Sequence, residues 1–292
     1  MTKELINRNL AEYTEKPVKS GRTVRLPGRR TIIVLAVLIL VLTAGILFAI
    51  LPQMHLQTIE VAGCSEVPED ALLRSTGLVN GEHLFRNLGG GILQIFTLRY
   101  GNMESELRKE YPYIDNIVIQ VIFPSCVRIT VTERQKIGYI KVPDGYAVID
   151  MNGYVVELSD DDPPRNVPLM LGLPVSSASL GEKIDMTEDK RFNTCISVLG
   201  AIIAADENNG DDSGFSLMSC VVSVRPVKTG TTFLTVLLPS TGEELLVRIG
   251  SLKKITTDMN WLRYAASQNK INGGSGGVLD MTGDNYTYRT VT

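Results

Sequence analysis

The chain has 292 residues, of which 44% are hydrophobic and 21% are charged. This composition is typical of a folded protein and argues against wholesale disorder, and the length allows one or two domains beyond any membrane segment. The net charge is only −3, but residues 1–30 carry eight Lys or Arg against three Glu, whereas residues 52–292 have a net charge of −8. This asymmetry suggests two compartments, and no nucleic-acid partner is expected.

The first predicted element is a transmembrane helix over residues 31–51. None of these 21 residues is charged, and 15 of them are Ile, Leu, Val or Phe. A helix of this length spans roughly 32 Å, enough to cross the hydrocarbon core of a bilayer. Because the basic residues precede the helix, the positive-inside rule predicts a cytoplasmic tail over residues 1–30 and places residues 52–292 outside. A cleaved signal peptide is the alternative, but no A-x-A site follows Leu51.

Residues 55–134 have the pattern of a small α+β domain in the order β-α-α-β-β. A strand begins at Gln57, and a first helix lies between Pro68 and Gly77, while a second begins at the candidate N-cap Asn102. A hairpin of two alternating strands closes the domain, with the hydrophobic positions Ile117, Ile119, Val121 and Phe123, then Val127, Ile129 and Val131.

Glu133 and Arg134 lie between two strand-like runs, and we interpret them as the boundary, or seam, between two domains. Residues 135–282 then predict a mostly β domain with two helices. Asn152-Gly153 is the favoured pair for a tight type I′ hairpin turn. One helix carries an apolar stripe that includes Phe192, and Ser251 caps another, on which Trp261 lies off the apolar face. Residues 283–292 form a C-terminal tail.

Taken in order, these residues resemble the FtsQ/DivIB family of bacterial cell division proteins. The family pattern is matched at Val61, Gly63, Gly81, Leu84, Phe85, Pro112, Ile114, Pro124, Glu133, Arg134 and Tyr139. The chain departs from it at residues 135–138, where the family often has Pro-x-Ala. The resemblance implies that residues 55–134 are a POTRA domain and that the protein is a single-pass membrane protein of the division septum.

The sequence offers no recognisable catalytic, cofactor-binding or metal-binding motif. His55 and His83 do not belong to H-E-x-x-H, and no G-K-[ST] follows the glycines at 89–91. The four cysteines match no zinc spacing, and we favour small buried thiols over a disulfide. We therefore predict a protein that is not an enzyme and has no cofactor and no metal.

A non-catalytic protein of this kind is expected to act through exposed strand edges, where a partner segment can add as a further strand. We predict Val278 to Met281 as that edge, since this strand comes late and glycines at 273, 274, 276 and 277 separate it from the preceding helix. The predicted partner-binding residues are Val278, Leu279, Asp280, Met281, Tyr286, Tyr288 and Trp261. The alternative is that this strand merely completes the sheet.

The resemblance implies which partners these would be. They are FtsB/DivIC-like and FtsL-like single-pass coiled-coil proteins and, indirectly, the septal synthase FtsW/FtsI. Deleting residues 278–292 is then expected to abolish partner capture and leave both domains folded. Two other functions stay open: a POTRA-containing secretion or assembly factor, and a membrane-tethered extracytoplasmic enzyme or sensor.

Overall fold

The computed structural model describes residues 28–50, 54–160, 166–186, 189–208, 214–227, 230–271 and 276–290. Most of the predicted basic tail, Leu51, Gly273 and Gly274 lie outside these ranges. Residues 1–54 and residues 55–292 form two separate units.

The first unit contains one long apolar helix, α1 (Arg29–Ile50), which confirms the described part of the helix predicted over residues 31–51. Its 22 residues correspond to about 33 Å. It is the only helix within the described residues whose length and composition suit a membrane span. Its side chains are exposed as far as Ile46. This exposure agrees with a segment that would be surrounded by lipid.

The second unit begins with a three-stranded sheet whose strand order is β1-β3-β2. Its strands and accompanying helices are β1 (Thr58–Ala62), α2 (Glu69–Thr76), α3 (Ile92–Phe96), α4 (Gly101–Glu110), β2 (Ile114–Ile122) and β3 (Cys126–Glu133). β1 runs parallel to β3, and β2 and β3 form the predicted antiparallel hairpin. Alternating hydrophobic residues of β2 and β3 pack with Leu72 and Leu107 in one hydrophobic core.

Two local predictions in this part are wrong. Asn102 is not the N-cap, because α4 begins one residue earlier and Tyr100 occupies the capping position. Tyr100 is fixed there by its backbone N–H, which donates to Ile119, and by its hydroxyl, which donates to the Leu84 carbonyl. Phe123 does not continue the inward row of β2, because the strand ends at Ile122 and Phe123 is 45% exposed.

A nine-stranded sheet follows, in the order β12-β11-β10-β9-β8-β7-β4-β5-β6. The strands are β4 (Lys136–Val142), β5 (Gly145–Asp150), β6 (Val155–Ser159), β7 (Leu169–Met170), β8 (Val221–Pro226), β9 (Thr232–Leu237), β10 (Glu244–Ile249), β11 (Gly277–Met281) and β12 (Thr287–Arg289). The hairpin between β5 and β6 is present, and Gly153 has a φ of 82° in its turn. The predicted type I′ turn is wrong, because that turn requires a positive φ at both central residues and Asn152 does not have one. The α+β fold class is confirmed.

Two helices cover this sheet, α5 (Lys190–Asn208) and α6 (Ile255–Ser267). The predicted stripe of α5, including Phe192, is buried in a second core formed with the inward faces of β8, β9 and β10. Ser251 accepts a hydrogen bond from the Lys253 backbone N–H and begins a short 3₁₀ turn that leads into α6. The opposite face of this part of the sheet is less covered, since Leu237 and Val222 are exposed there.

Candidate partner-binding surface

The predicted partner-binding residues meet at one end of the nine-stranded sheet, but the edge strand is not the predicted one. β11 is paired on both sides, parallel to β10 and antiparallel to β12. The prediction that Val278 to Met281 is the sheet edge is therefore wrong. The three residues Thr287–Arg289 form the terminal strand instead, and Leu279 and Met281 are buried in the core.

A glycine allows β12 to lie against β11. A Cβ added to Gly277 would lie only 2.5 Å from the Tyr288 hydroxyl and 2.6 Å from the Arg289 carbonyl oxygen. The Tyr288 hydroxyl donates to the Gly276 carbonyl at 2.6 Å. Gly277 therefore permits close approach of the last strand, a role different from the separating one predicted for it.

Side chains of β12 alternate between the two faces of the sheet. Tyr288 is opposite Leu279 and packs at the margin of the core. Thr287 and Arg289 are exposed and point to the open face. Within the described residues no strand pairs with the outer side of β12. β12 is therefore the edge strand of the sheet among the described residues.

Tyr286 fastens the segment before β12 to helix α6. Its hydroxyl donates to Asp258 Oδ1 at 2.6 Å, and its ring lies 4.7 Å from that of Trp261 in an edge-on arrangement. Burial, and then the negative charge of Asp258, raise the pKa of Tyr286 to about 12, so the phenol is a hydrogen-bond donor at neutral pH. Trp261 is part exposed, as predicted, and it presents an aromatic surface beside β12.

Charged groups surround the same edge. Arg248 Nη1 lies 2.8 Å from Asp280 Oδ2. The pKa of Asp280 lies below its ordinary value. The main cause is the hydrogen bond from the Thr282 hydroxyl, followed by the bond from the Thr282 backbone N–H and by the positive charges of Arg248 and Arg289. The carboxylate of Asp280 is therefore ionised at neutral pH and shields the positive charge of the two arginines on the open face.

The predicted seam residues lie elsewhere, between the two sheets, and they do not pair with each other. Glu133 accepts hydrogen bonds from the backbone N–H groups of Ser65, Glu66 and Val67 at 2.9–3.1 Å. Burial raises the pKa of Glu133, but these three donors outweigh burial and leave the pKa below its ordinary value. Glu133 therefore holds the loop before α2 against the end of β3, and both of these belong to the first sheet's domain.

Arg134 joins the two sheets. Its Nη1 lies 2.7 Å from Asp150 Oδ2 on β5 and 3.1 Å from Asp115 Oδ1 on β2, and its guanidinium lies 4.0 Å from the centre of the Tyr154 ring. The side chains of Arg134 and Asp150 are 9% and 4% exposed. The backbone N–H of Arg134 donates to the Tyr113 carbonyl at 2.7 Å. The two sheets are thus connected through a nearly buried ion pair.

A second polar contact lies beside Arg134. The Tyr113 hydroxyl donates to Glu157 Oε2 of β6 at 2.9 Å. Lys136 Nζ lies 3.4 Å from Glu66 and 3.6 Å from Glu157, and 5.1 Å from the Tyr113 ring centre. Burial lowers the pKa of Lys136, but Tyr113 and Glu66 outweigh it and raise the pKa overall, so this cation persists at the seam.

Other candidate chemical sites are ion pairs or isolated thiols. A cleft of about 700 Å³ beside the start of α5 contains Asp189 and Arg191, which pair at 2.8 Å. The hydrogen bonds from Arg191 lower the pKa of Asp189. The four cysteines are free, and burial raises the pKa of Cys195 to about 12. The described residues hold no group of three or more His, Cys, Asp or Glu placed for a metal ion.

Sequence reasoning missed Asp258 and the strand Thr287–Arg289. Nothing in the sequence shows that Tyr286 reaches Asp258, which lies 28 residues earlier in the chain. The alternation Thr-Tyr-Arg at residues 287–289 was a weak signal of a strand.

Comparison with known proteins gives a consistent result. The family model of the FtsQ-type POTRA domain matches residues 54–134. The cell division protein FtsQ of Corynebacterium glutamicum is 28% identical, with 54% of this chain and 70% of that protein covered. DivIB of Clostridium acetobutylicum is 25% identical, and the match spans 54% of this chain but only 58% of that protein.

Two further matches have lower identity. DivIB of Clostridium botulinum strain Loch Maree is 20% identical over 97% of this chain and 96% of its own length. The solved extracytoplasmic domain of DivIB from Geobacillus stearothermophilus is 10% identical, with a TM-score of 0.28, and covers 48% of this chain and 97% of that domain.

Proposed function

We propose that the chain belongs to the FtsQ/DivIB family of cell division proteins and that it is a non-catalytic scaffold of the division septum, on the support of the POTRA match and of the similar FtsQ and DivIB proteins. Its partners are FtsB/DivIC-like and FtsL-like single-pass proteins, and through them it regulates septal peptidoglycan synthesis by FtsW/FtsI. Residues 55–134 are its POTRA domain and residues 135–282 its β domain, with Glu133 and Arg134 at the boundary.

Helix α1 is the proposed single membrane anchor. It has the length and apolar composition of a span, and basic residues precede it. With the N-terminus in the cytoplasm, both sheets lie outside the cell membrane. Partners that are themselves single-pass proteins then meet this chain on the same side of the membrane.

The observation that carries the binding proposal is the open outer side of β12. A partner segment that adds there gains main-chain hydrogen bonds, while Trp261 and Tyr286 beside the strand offer aromatic contacts. The exposed Arg289 next to Arg248 and Asp280 gives the open face a polar rim that favours a partner with acidic side chains.

The strand-addition proposal is tested with Thr287→Pro, which removes a backbone N–H and stiffens an edge of only three residues. Thr287→Val is the matched control, because it retains the β-branched shape and the N–H. Since one main-chain hydrogen bond contributes about 0.5–1.5 kcal/mol and several would be lost, we expect the Pro variant to bind the FtsB/DivIC–FtsL pair at least about tenfold more weakly.

The measurement is the dissociation constant of the detergent-solubilised chain for the purified pair. Equal binding by the Pro variant and the wild type would rule out β12 as the docking strand. Deleting residues 278–292 is a poorer test, because it also removes the buried Leu279 and Met281. A fluorescent fusion that stays away from mid-cell during constriction would contradict the septal role itself.

A further inference from the structure

The short helix α3 carries an exposed apolar patch that the proposed function does not use. Ile92, Leu93 and Phe96 are 74%, 80% and 81% exposed, and Ile95 is 47% exposed. A surface helix of a soluble domain normally turns its polar residues outward. Contiguous exposed apolar side chains of this kind mark a contact surface.

The single polar residue of α3 is turned inward. The Gly91 backbone N–H donates to Gln94 Oε1 at 2.6 Å. A Cβ at Gly90 or Gly101 would lie 2.2 Å or 2.4 Å from the same oxygen, so these glycines provide the space that the amide occupies. The helix is therefore inverted, with its amide oxygen bonded at the helix N-cap and its four apolar side chains exposed.

The patch lies at the end of the first sheet where the chain enters it from α1. The Val121 backbone N–H donates to the carbonyl of Leu98, which follows α3 in the chain. Val121 itself lies two residues before the exposed Phe123. At the same β2–β3 turn, the Gln57 backbone N–H donates to the Ser125 carbonyl. The beginning of β1, the exposed Phe123 and α3 thus share one end of the domain.

The length of the connecting chain limits how far this end can lie from α1. Only residues 51–54 separate Ile50 of α1 from His55, and five peptide steps span at most about 18 Å. If α1 crosses the membrane, the bilayer surface is within that reach. A tethered segment binds at a high effective concentration, so even a weak contact becomes populated.

We propose that α3 is a membrane-contact element, which inserts Ile92, Leu93 and Phe96 into the outer leaflet of the membrane that α1 spans. Insertion to about 5–10 Å is sufficient for an interfacial helix and leaves the rest of the domain in water. The contact would limit rotation of the POTRA domain on its short tether. This inference rests on the proposed anchor and adds a second, lipid-binding surface to it.

The test places a single tryptophan on α3 in the full-length chain reconstituted into liposomes. In a Trp261→Phe background, Phe96→Trp reports on the patch, and Leu93→Trp is a second reporter at an equally exposed position. Leu180→Trp, at a site 51% exposed on the other sheet's domain, is the matched control. Lipids brominated near the headgroup or near the bilayer centre quench a tryptophan according to its depth.

We expect quenching at positions 96 and 93 to be at least about twofold stronger than at position 180, and strongest with bromine near the headgroup. The signal should persist when the protein is diluted to one copy per liposome. Quenching equal to that at position 180, or loss of the signal on dilution, would overturn the inference and, in the second case, indicate a second copy as occupant. Failure of the chain to float with liposomes would overturn the anchor and this inference together.

Discussion

Glu133 and Arg134 are adjacent in the sequence and opposite in charge, yet each acts on a different neighbour. Successive side chains of an extended segment point to opposite sides, so the two do not meet. Glu133 holds the loop at Ser65–Val67, and Arg134 reaches Asp150 on the other sheet. The charge pair indicated a seam from the sequence, but its partners are set by tertiary contacts that no local pattern encodes.

Glu133→Gln is expected to destabilise the chain in a pH-dependent way. The folded pKa of Glu133 is depressed, so its contribution to the free energy of unfolding is complete above about pH 4.5 and is lost as the pH falls through the folded pKa. At pH 7 we expect a loss of about 1.5–3 kcal/mol, because three N–H donors lose a charged acceptor. Denaturant unfolding at pH 7 and at about pH 3 measures this difference.

The control for this prediction is Glu60→Gln, which removes a carboxylate whose side chain is 51% exposed. Its effect should stay below about 1 kcal/mol. A difference between wild type and Glu133→Gln that is the same at both pH values would show that the charge of Glu133 does not stabilise the fold.

At the scale of elements, the sequence predicted what local periodicity determines. The apolar run of α1, the stripe of α5 and the hairpin of β5 and β6 are all present, although the turn at Asn152-Gly153 is not of type I′. It failed where a distant element decides the outcome. The sequence suggests β11 as the edge strand, because β12 has only three residues and pairs through the space left at Gly277. The outward orientation of the apolar side chains of α3 likewise depends on the space at Gly101, which receives the Gln94 side chain.

We expect the stability of the β11–β12 end of the sheet to depend on the Tyr286 hydroxyl. Tyr286→Phe removes the donor to Asp258, a nearly buried carboxylate, and keeps the ring against Trp261. Losing a hydrogen bond to a buried charged acceptor costs about 1–3 kcal/mol, so amide hydrogen exchange in Thr287–Arg289 should become about 5- to 150-fold faster. Tyr264→Phe, at an exposed position on the same helix, should leave that exchange unchanged. Unchanged exchange in the Tyr286 variant would show that β12 is held by its backbone pairing alone.

At the scale of the whole molecule, residues 55–292 form one compact unit that contains two separate hydrophobic cores. The polar seam lies between them, and its nearly buried Arg134–Asp150 pair is the contact whose loss is most costly. Removing one partner of a buried ion pair leaves the other charge without compensation and typically costs about 3–5 kcal/mol, whereas an exposed pair contributes about 0–1 kcal/mol. We therefore expect this pair to contribute to the coupling between the two sheets when they unfold.

Arg134→Ala is expected to separate the unfolding of the two sheets. In the wild type, protected amides of β3 and β10 should lose protection at the same urea concentration, as in a single cooperative transition. In the variant, β3 should lose protection first, because the smaller core buries less apolar surface and relies more on the seam. Arg128→Ala is the matched control, since Arg128 pairs with Glu60 at 2.9 Å and both side chains are 51% exposed. Coincident loss of protection in Arg134→Ala, or equal separation in Arg128→Ala, would mean that the buried pair does not couple the two sheets.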